Sequence, residues 1–145
     1  MLIVLEGCDG AGKTRLANCL KYVYPNSEII HCTRETPNTF EYFLDIIKQS
    51  TGGEVIIADR FCFGQFVYQD AAERKFSKER LQELVDVMNI VGAKIVFVDA
   101  PTEVIKHRLS CRGEIPSMPV WMIRSKYKEL FDGLKNLNLI KVKSK

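Results

Sequence analysis

Short apolar runs alternate with amphipathic stretches along the whole chain. Each run has the length of a buried β-strand, and the stretches between them place apolar residues three or four positions apart, which predicts helices. Strands that are apolar at every position are typical of a parallel sheet covered on both faces. Strands are predicted at Leu2–Leu5, Glu28–Cys32, Val55–Ala58, Ile95–Val98 and Leu137–Val142.

Start and stop signals delimit the predicted helices. Thr39 and Ser77 are suited to cap helices at their N-termini, and Gly52 and Gly92 to end them. Pro25 stops the first helix. Helices are predicted at Lys13–Val23, from Thr39 to Gly52, at Gln65–Glu73, from Ser77 to Gly92, at Pro101–Leu109 and at Met118–Leu134.

This alternation predicts an α/β fold with a five-stranded parallel sheet and helices on both faces. The 145 residues are expected to form one domain. Conspicuous polar residues follow three of the strands: the segment from Glu6 to Thr14, the pair Asp59-Arg60, and Asp99. Because ligands of such sheets bind beyond the carboxyl ends of the strands, we expect these residues to share one site.

Composition excludes several classes of function. The net charge of +3 is too small to predict a nucleic-acid or membrane surface. The five cysteines show no CxxC spacing, which argues against a disulfide framework or a zinc site. No apolar run is long enough for a membrane span, and the N-terminus lacks the basic region of a signal peptide. A cytoplasmic protein without nucleic-acid or membrane partners is therefore expected.

One segment after the first strand fits the phosphate-binding pattern G-x-x-x-x-G-K-[ST]. Its glycines let backbone N–H groups turn inward toward phosphate oxygens, at the start of a helix. Lys13 is expected to reach the β- and γ-phosphates of ATP, and Thr14 to ligate Mg²⁺. With its flanking strand and helix, the segment predicts binding of a nucleoside triphosphate, but by itself it does not separate a kinase from an ATPase or GTPase. The ATP-binding loop comprises Gly7, Cys8, Asp9, Gly10, Ala11, Gly12, Lys13 and Thr14.

Four further segments, in order, make the chain similar to the thymidylate kinase family. They are Thr33-Arg34-Glu35-Thr36-Pro37 after the second strand, Asp59-Arg60-Phe61 continued to Gln65 and Tyr68-Gln69, Val98-Asp99-Ala100-Pro101 with Arg108 and Arg112-Gly113-Glu114, and the R-x-x-Y-x-E-L pattern from Arg124 to Leu130. The resemblance covers most of the chain. It implies a three-layer P-loop kinase fold and ATP-dependent phosphorylation of a deoxynucleoside monophosphate, with dTMP or a related pyrimidine nucleotide as the first candidate acceptor. It also suggests a homodimer, because members of the family are often homodimers.

The resemblance also implies a role for individual residues. Arg34 would bind the acceptor phosphate, and Arg60 would lie between the donor and acceptor phosphates. Asp9 would accept a hydrogen bond from the sugar 3′-hydroxyl, Gln65 would contact the base edge, and Tyr68 would favour deoxyribose. Phe40 or Phe43 would stack on the base. Arg108 and Arg112, in a lid at about 108–119, would approach the triphosphate. Lys13, Arg60, Arg108, Arg112 and Asp9 form the predicted catalytic set.

The chain also departs from the family pattern. No second arginine lies between Arg34 and Asp59, and Ile115–Pro119 stands where the family has a charged cluster. Two alternatives therefore stay open. One is a deoxynucleoside kinase, whose acceptor carries no phosphate. The other is a nucleotide-binding module that has lost phosphoryl transfer.

Overall fold

A five-stranded sheet forms the centre of the computed structural model, which describes residues 1–144. All pairs of neighbouring strands are parallel, and the strand order is β2-β3-β1-β4-β5. The predicted sheet is therefore confirmed, with strand ends displaced by up to two residues. The strands are β1 (Leu2–Glu6), β2 (Glu28–His31), β3 (Ile56–Asp59), β4 (Lys94–Asp99) and β5 (Leu139–Lys143).

Six α-helices and one 3₁₀ turn connect these strands within the described residues. Thr39 accepts a hydrogen bond from the backbone N–H of Tyr42, and Ser77 accepts one from that of Arg80. Both predicted caps are thus confirmed. The helices are α1 (Lys13–Val23), α2 (Phe40–Gln49), α3 (Gln65–Tyr68), α4 (Lys78–Val91), α5 (Thr102–Cys111) and α6 (Val120–Asp132), and the 3₁₀ turn is Ser50–Gly52.

Helix α3 is shorter than predicted, because it ends at Tyr68 instead of continuing to Glu73. The chain turns back after Tyr68 and crosses the end of the helix. There the backbone N–H of Lys75 donates to Oε1 of Gln65, and Arg74 donates to the carbonyl of Phe66. These contacts with the returning chain take the place of further helical turns. The prediction of a helix through Glu73 is therefore wrong.

Strand β1 lies at the centre of the sheet and is buried at all five positions. Because successive side chains of a strand point to opposite faces, this pattern means that both faces are covered. Four aromatic rings form a cluster that anchors α6, with edge-to-face and tilted contacts between them. They belong to Phe63, Phe97, Tyr127 and Phe131. No helix within residues 1–144 is long and apolar enough to cross a bilayer.

The strand order brings the predicted polar segments to one edge of the sheet. β1 lies between β3 and β4, so the loop after Glu6 is flanked by the ends of both neighbours. Leu5 is paired in register with Asp59, and Glu6 with Phe97. The loop after β1, the turn at Asp59-Arg60 and the end of β4 therefore meet at the carboxyl edge.

Candidate active site

The loop from Gly7 to Thr14 has the curled backbone that phosphate binding requires. Gly7, Gly10 and Gly12 have φ of 149°, 85° and 111°, in the region that favours glycine. A Cβ on Gly7 would lie 2.2 Å from the carbonyl oxygen of Val98, so no other residue fits there. Helix α1 begins at Lys13, directly after this turn. Its positive dipole end therefore faces the loop.

The side chain of Lys13 folds back into the phosphate loop and bonds to its backbone. Its Nζ donates to the carbonyls of Gly7 and Cys8, at 2.9 and 3.0 Å, and lies 3.8 Å from Oδ1 of Asp9. Burial lowers the pKa of Lys13, repulsion from Arg60 adds to this effect, and Asp9 opposes it. A triphosphate in the loop would reverse this effect, because its negative charge favours the protonated amine.

Two oxygen donors lie at the mouth of the loop, where Mg²⁺ would be expected. Oγ1 of Thr14 donates to Oδ2 of Asp59 over 3.3 Å. A hydroxyl and a carboxylate are ligands that Mg²⁺ prefers, so the donor set fits this ion. Thr14 was the predicted ligand, whereas Asp59 was not assigned to the metal. The signal that could have identified Asp59 is an acidic residue ending the strand next to β1.

Arg60 occupies the space between the phosphate loop and the neighbouring cleft. Its Nη2 lies 2.6 Å from Oδ1 of Asp9 and 3.0 Å from the hydroxyl of Tyr68, whose ring it covers. The backbone of Arg60 has φ 65°, a conformation uncommon for a residue with a side chain. Its Nε is buried and has no hydrogen-bond partner within residues 1–144. An unpaired buried cationic donor is costly, which points to an anionic ligand at this position.

Glu6 supports the turn that carries Arg60. Its carboxylate is fully buried, accepts from the backbone N–H of Phe61 at 2.9 Å and from the hydroxyl of Tyr127 at 3.0 Å. Burial raises the pKa of Glu6, and the bond from Phe61 and the charge of Arg60 oppose this rise. Tyr127 belongs to the R-x-x-Y-x-E-L segment of α6. That segment thus reaches the site through Glu6, behind the phosphate loop.

A cleft of about 340 Å³ opens beside Arg60, away from the core of the loop. Its walls come from the loops after β1, β2 and β3, from α3, and from the segment between α5 and α6. Among the predicted site residues, the lining includes Cys8, Asp9, Arg34, Phe43, Arg60, Gln65 and Tyr68. The structure therefore brings the predicted acceptor residues together, with one exception.

The exception is Phe40. Its ring is covered by the guanidinium of Arg80, 3.7 Å from the ring centroid, and contacts Phe76 edge-on. Phe40 does not line the cleft and so lies outside the predicted base site. Phe43 does line the cleft, and it is buried with its ring 4.8 Å from that of Phe61. Of the two aromatic candidates, Phe43 is the one at the cleft, although the residue is only 1% exposed.

Arg34 stands at the outer wall of the cleft. Its side chain is 70% exposed and lies 3.9 Å from the carboxylate of Glu73, which is itself half-exposed. An ion pair so loose and solvated contributes little stability and is easily exchanged for another anion. Arg34 can therefore turn toward a phosphate in the cleft without breaking a strong contact.

Gln65 lines the cleft, but its amide is already engaged at both ends. Its Nε2 donates to the carbonyl of Asn38 at 3.2 Å, and its Oε1 accepts from the backbone N–H of Lys75 at 2.9 Å. The residue thus ties the loop after β2 to the chain that returns over α3. A direct contact with a base edge would require one of these bonds to be exchanged.

The two predicted lid arginines differ in their placement. Arg108 donates to the carbonyl of Gly10 and to the hydroxyl of Ser144, both at 3.0 Å, and so contacts the phosphate loop. Arg112 caps the C-terminus of α5, is exposed, and does not line the cleft. Arg108 is thus the lid arginine that the structure brings to the loop.

Asp99 serves the framework of the site. Its two carboxylate oxygens accept from Nε and Nη2 of Arg124, at 2.8 and 2.9 Å. Arg124 also donates to the hydroxyl of Thr102 at the start of α5. This bidentate pair joins the end of β4 to both α5 and α6. These contacts give Asp99 a structural role at the edge of the site.

Cys8 fills space in the loop. Burial raises the pKa of its thiol to about 11, with the charge of Lys13 opposing the rise. At neutral pH the sulfur is therefore protonated and a weak nucleophile. We conclude that the residue packs against the core.

Comparison with known proteins agrees with this geometry. No family model matches the chain. A probable thymidylate kinase from Thermoplasma acidophilum is 26% identical over 139 residues, which covers 78% of this chain and 72% of the relative. The crystal structure of the YorR protein from Bacillus subtilis, in complex with phosphorylated GDP, is 27% identical with a TM-score of 0.81, covering 99% of this chain and 85% of that chain. This chain is a P-loop nucleotide kinase related to the thymidylate kinases.

A more distant structure extends the comparison of folds. Deoxyadenosine kinase from M. mycoides, with dCMP and dCDP bound, is 18% identical with a TM-score of 0.61, over 98% of this chain and 90% of that chain. At that identity the likeness concerns the fold alone. The comparisons bear out the predicted resemblance to the thymidylate kinases, and they confirm the predicted fold and the class of enzyme, a nucleoside monophosphate kinase.

Proposed function

We propose that this P-loop kinase transfers the γ-phosphoryl group of ATP to a deoxynucleoside monophosphate, with dTMP or a related pyrimidine nucleotide as the first acceptor to test. The observation that carries the proposal is the position of Arg60. It lies between the phosphate loop and the adjoining cleft, with a buried Nε that lacks a partner within residues 1–144. A guanidinium between two phosphate chains would offset their mutual repulsion.

The donor side of the site is formed by the phosphate loop. Lys13 and the loop N–H groups would bind the β- and γ-phosphates of ATP, and Arg108 would approach the triphosphate beside Gly10. Thr14 and Asp59 would hold Mg²⁺, which when bound neutralises charge on the phosphate oxygens.

The acceptor side of the site is the cleft. Arg34 would bind the monophosphate, since a guanidinium matches phosphate oxygens in a fork. Asp9 would accept a hydrogen bond from the sugar, and Tyr68 would occupy the space of a ribose 2′-hydroxyl. Phe43 would lie against the base. A volume of about 340 Å³ lies near the lower limit of small-molecule sites and suits one nucleotide.

Phosphoryl transfer requires positioning and charge compensation more than covalent chemistry. Lys13 and Arg60 would hold the donor and acceptor phosphates in line despite their mutual repulsion. Arg60 is itself held by Asp9 and Tyr68, so its position is fixed before substrates arrive. The lid segment from Arg108 to Pro119, which lines the cleft in part, would limit the access of water.

The names of the relatives suggest which nucleobases the acceptor should carry in a test. The probable thymidylate kinase supports dTMP as the first acceptor, and the phosphorylated GDP bound to YorR is the reason to include guanine nucleotides in any test. A homodimer and a cytoplasmic location stay predictions from the sequence.

The acceptor is tested with Arg34. ADP release is measured over the four deoxynucleoside monophosphates, dUMP and the matching nucleosides, with the product identified by chromatography. We expect turnover with at least one monophosphate. Arg34→Ala should raise the KM for that acceptor about tenfold or more, because a hydrogen bond to a charged group is lost. The control is Arg80→Ala, since Arg80 lies over Phe40 outside the cleft.

A deoxynucleoside kinase predicts a different pattern. Its acceptor has no phosphate, so nucleosides would be turned over and Arg34→Ala would have a mild effect. The loose ion pair of Arg34 with Glu73 is compatible with that alternative. Turnover confined to nucleosides would overturn the proposal in favour of this activity.

A further inference from the structure

A histidine lies beside the carboxylate that was assigned to the metal. Nδ1 of His31 is 3.3 Å from Oδ2 of Asp59, the same oxygen that accepts from Thr14 at 3.3 Å. His31 and Asp59 are register partners at the ends of β2 and β3. Because paired residues of neighbouring strands present their side chains to the same face, this proximity follows from the sheet itself.

The spacing of these atoms suits ligands of one ion. Adjacent ligands of an octahedral ion with bonds of about 2.1 Å lie about 3 Å apart. The separation of both His31 and Thr14 from Asp59 is close to that value. Within residues 1–144 no group of three or more His, Cys, Asp or Glu side chains is arranged to enclose a metal. The protein would therefore supply only part of the coordination shell, and phosphate oxygens and water would fill the remaining positions.

The type of donor determines which ion is preferred. Mg²⁺ is bound almost entirely through oxygen, whereas imidazole suits first-row transition ions. His31 is 59% exposed, so its ring has room to reorient toward an ion at the mouth of the loop. Packing in the core does not restrain the ring, because β2 is an edge strand of the sheet and His31 is exposed.

We propose that His31 supplies a nitrogen ligand to the cation that accompanies the nucleotide, so that this site takes Mn²⁺ or another first-row transition ion in preference to Mg²⁺. The inference rests on the proposed function, because it requires a nucleotide in the phosphate loop. Thr14 and Asp59 supply the oxygen ligands, and His31 adds the donor that distinguishes this site from one made of oxygen alone.

The test uses Mn²⁺ with β,γ-methylene-ATP, an analogue that binds without transfer. Electron spin echo envelope modulation is recorded for the full chain with natural-abundance histidine and with ¹⁵N-histidine. We expect the nitrogen modulation to change on labelling, which assigns it to histidine and not to adenine. His31→Gln should abolish that change, and His107→Gln, which removes the other histidine, should not.

Affinity gives a second measure. Competition between Mn²⁺ and Mg²⁺ for the nucleotide-bound protein should show that His31→Gln lowers the preference for Mn²⁺ about tenfold or more. If His31 only orients Asp59, both ions would weaken together and no histidine modulation would be seen, which overturns the inference. If His31→Gln fails to fold, the ¹⁵N-labelled His107→Gln protein provides the test, because His31 is then its only histidine.

The outcomes also separate this inference from the proposed function. Binding of Mn²⁺ and the analogue without histidine modulation contradicts the role of His31 alone. Failure of the protein to bind the metal–nucleotide complex at all contradicts both.

Discussion

Replacing Lys13 with Met is expected to lower kcat about 10²- to 10³-fold. The variant keeps the aliphatic part of a buried side chain but removes the amine that bonds to Gly7 and Cys8. That amine is the cation placed inside the loop, where charge on the transferred phosphoryl group must be stabilised. Steady-state kinetics with the preferred acceptor measure the loss, and circular dichroism verifies the fold.

The matched control is Lys126→Met, at an exposed position in the middle of α6. It removes the same charge from the chain but leaves the loop intact, so kcat should remain within about twofold of the wild type. Equal losses in both variants would mean that net charge, and not the position of Lys13, matters. Full activity of Lys13→Met would contradict the role assigned to the loop.

Replacing Arg60 with Gln is expected to lower kcat by about 10²-fold or more. The variant loses the guanidinium that joins Asp9 and Tyr68 at the boundary between loop and cleft. Without it the donor and acceptor phosphates would repel each other, and the reacting atoms would be less well aligned. Binding of ATP alone, measured by calorimetry, should change much less than kcat.

Arg60→Lys separates charge from geometry. Lysine keeps the positive charge but has no planar fork, so we expect it to restore only part of the lost rate. Arg80→Gln is the control, because that arginine lies over Phe40 and outside the cleft. A fully active Arg60→Lys variant would show that a point charge suffices, and a fully active Arg60→Gln variant would contradict the proposed role.

The positions of Lys13 and Arg60 are unfavourable in free energy as long as no anionic ligand is bound. Lys13 has its pKa lowered by burial, and Arg60 has a buried donor without a partner. Repulsion from Arg60 adds to the lowering of the pKa of Lys13, and the charges of Asp9, Asp59 and Glu6 oppose it only in part. Anionic ligands that bind the folded state relieve this repulsion and stabilise the fold by mass action.

The sequence was sufficient for the sheet and for most helices because their signals are local. The hydrophobic period, the caps Thr39 and Ser77 and the glycines of the phosphate loop each act within a few residues. The end of α3 could not be predicted in this way. It depends on Arg74 and Lys75 returning over the helix, a contact that no periodic pattern encodes.

Several contacts of the site could likewise not be predicted from the sequence. Which of Phe40 and Phe43 faces the cleft depends on how α2 packs against α4, where Arg80 covers Phe40. The engagement of Gln65 by Asn38 and Lys75 depends on two loops meeting in space. The proximity of His31 to Asp59 required the register of β2 on β3. In each case the deciding contact joins residues distant in the chain.

The most direct measurement is calorimetric binding of a bisubstrate ligand in which five phosphates join adenosine to the deoxynucleoside of the preferred acceptor. If the phosphate loop and the cleft bind two phosphate chains end to end across Arg60, one molecule should bind per chain, and both ATP and the acceptor monophosphate should displace it. Binding of two molecules per chain, or displacement by ATP but not by the monophosphate, would contradict that arrangement.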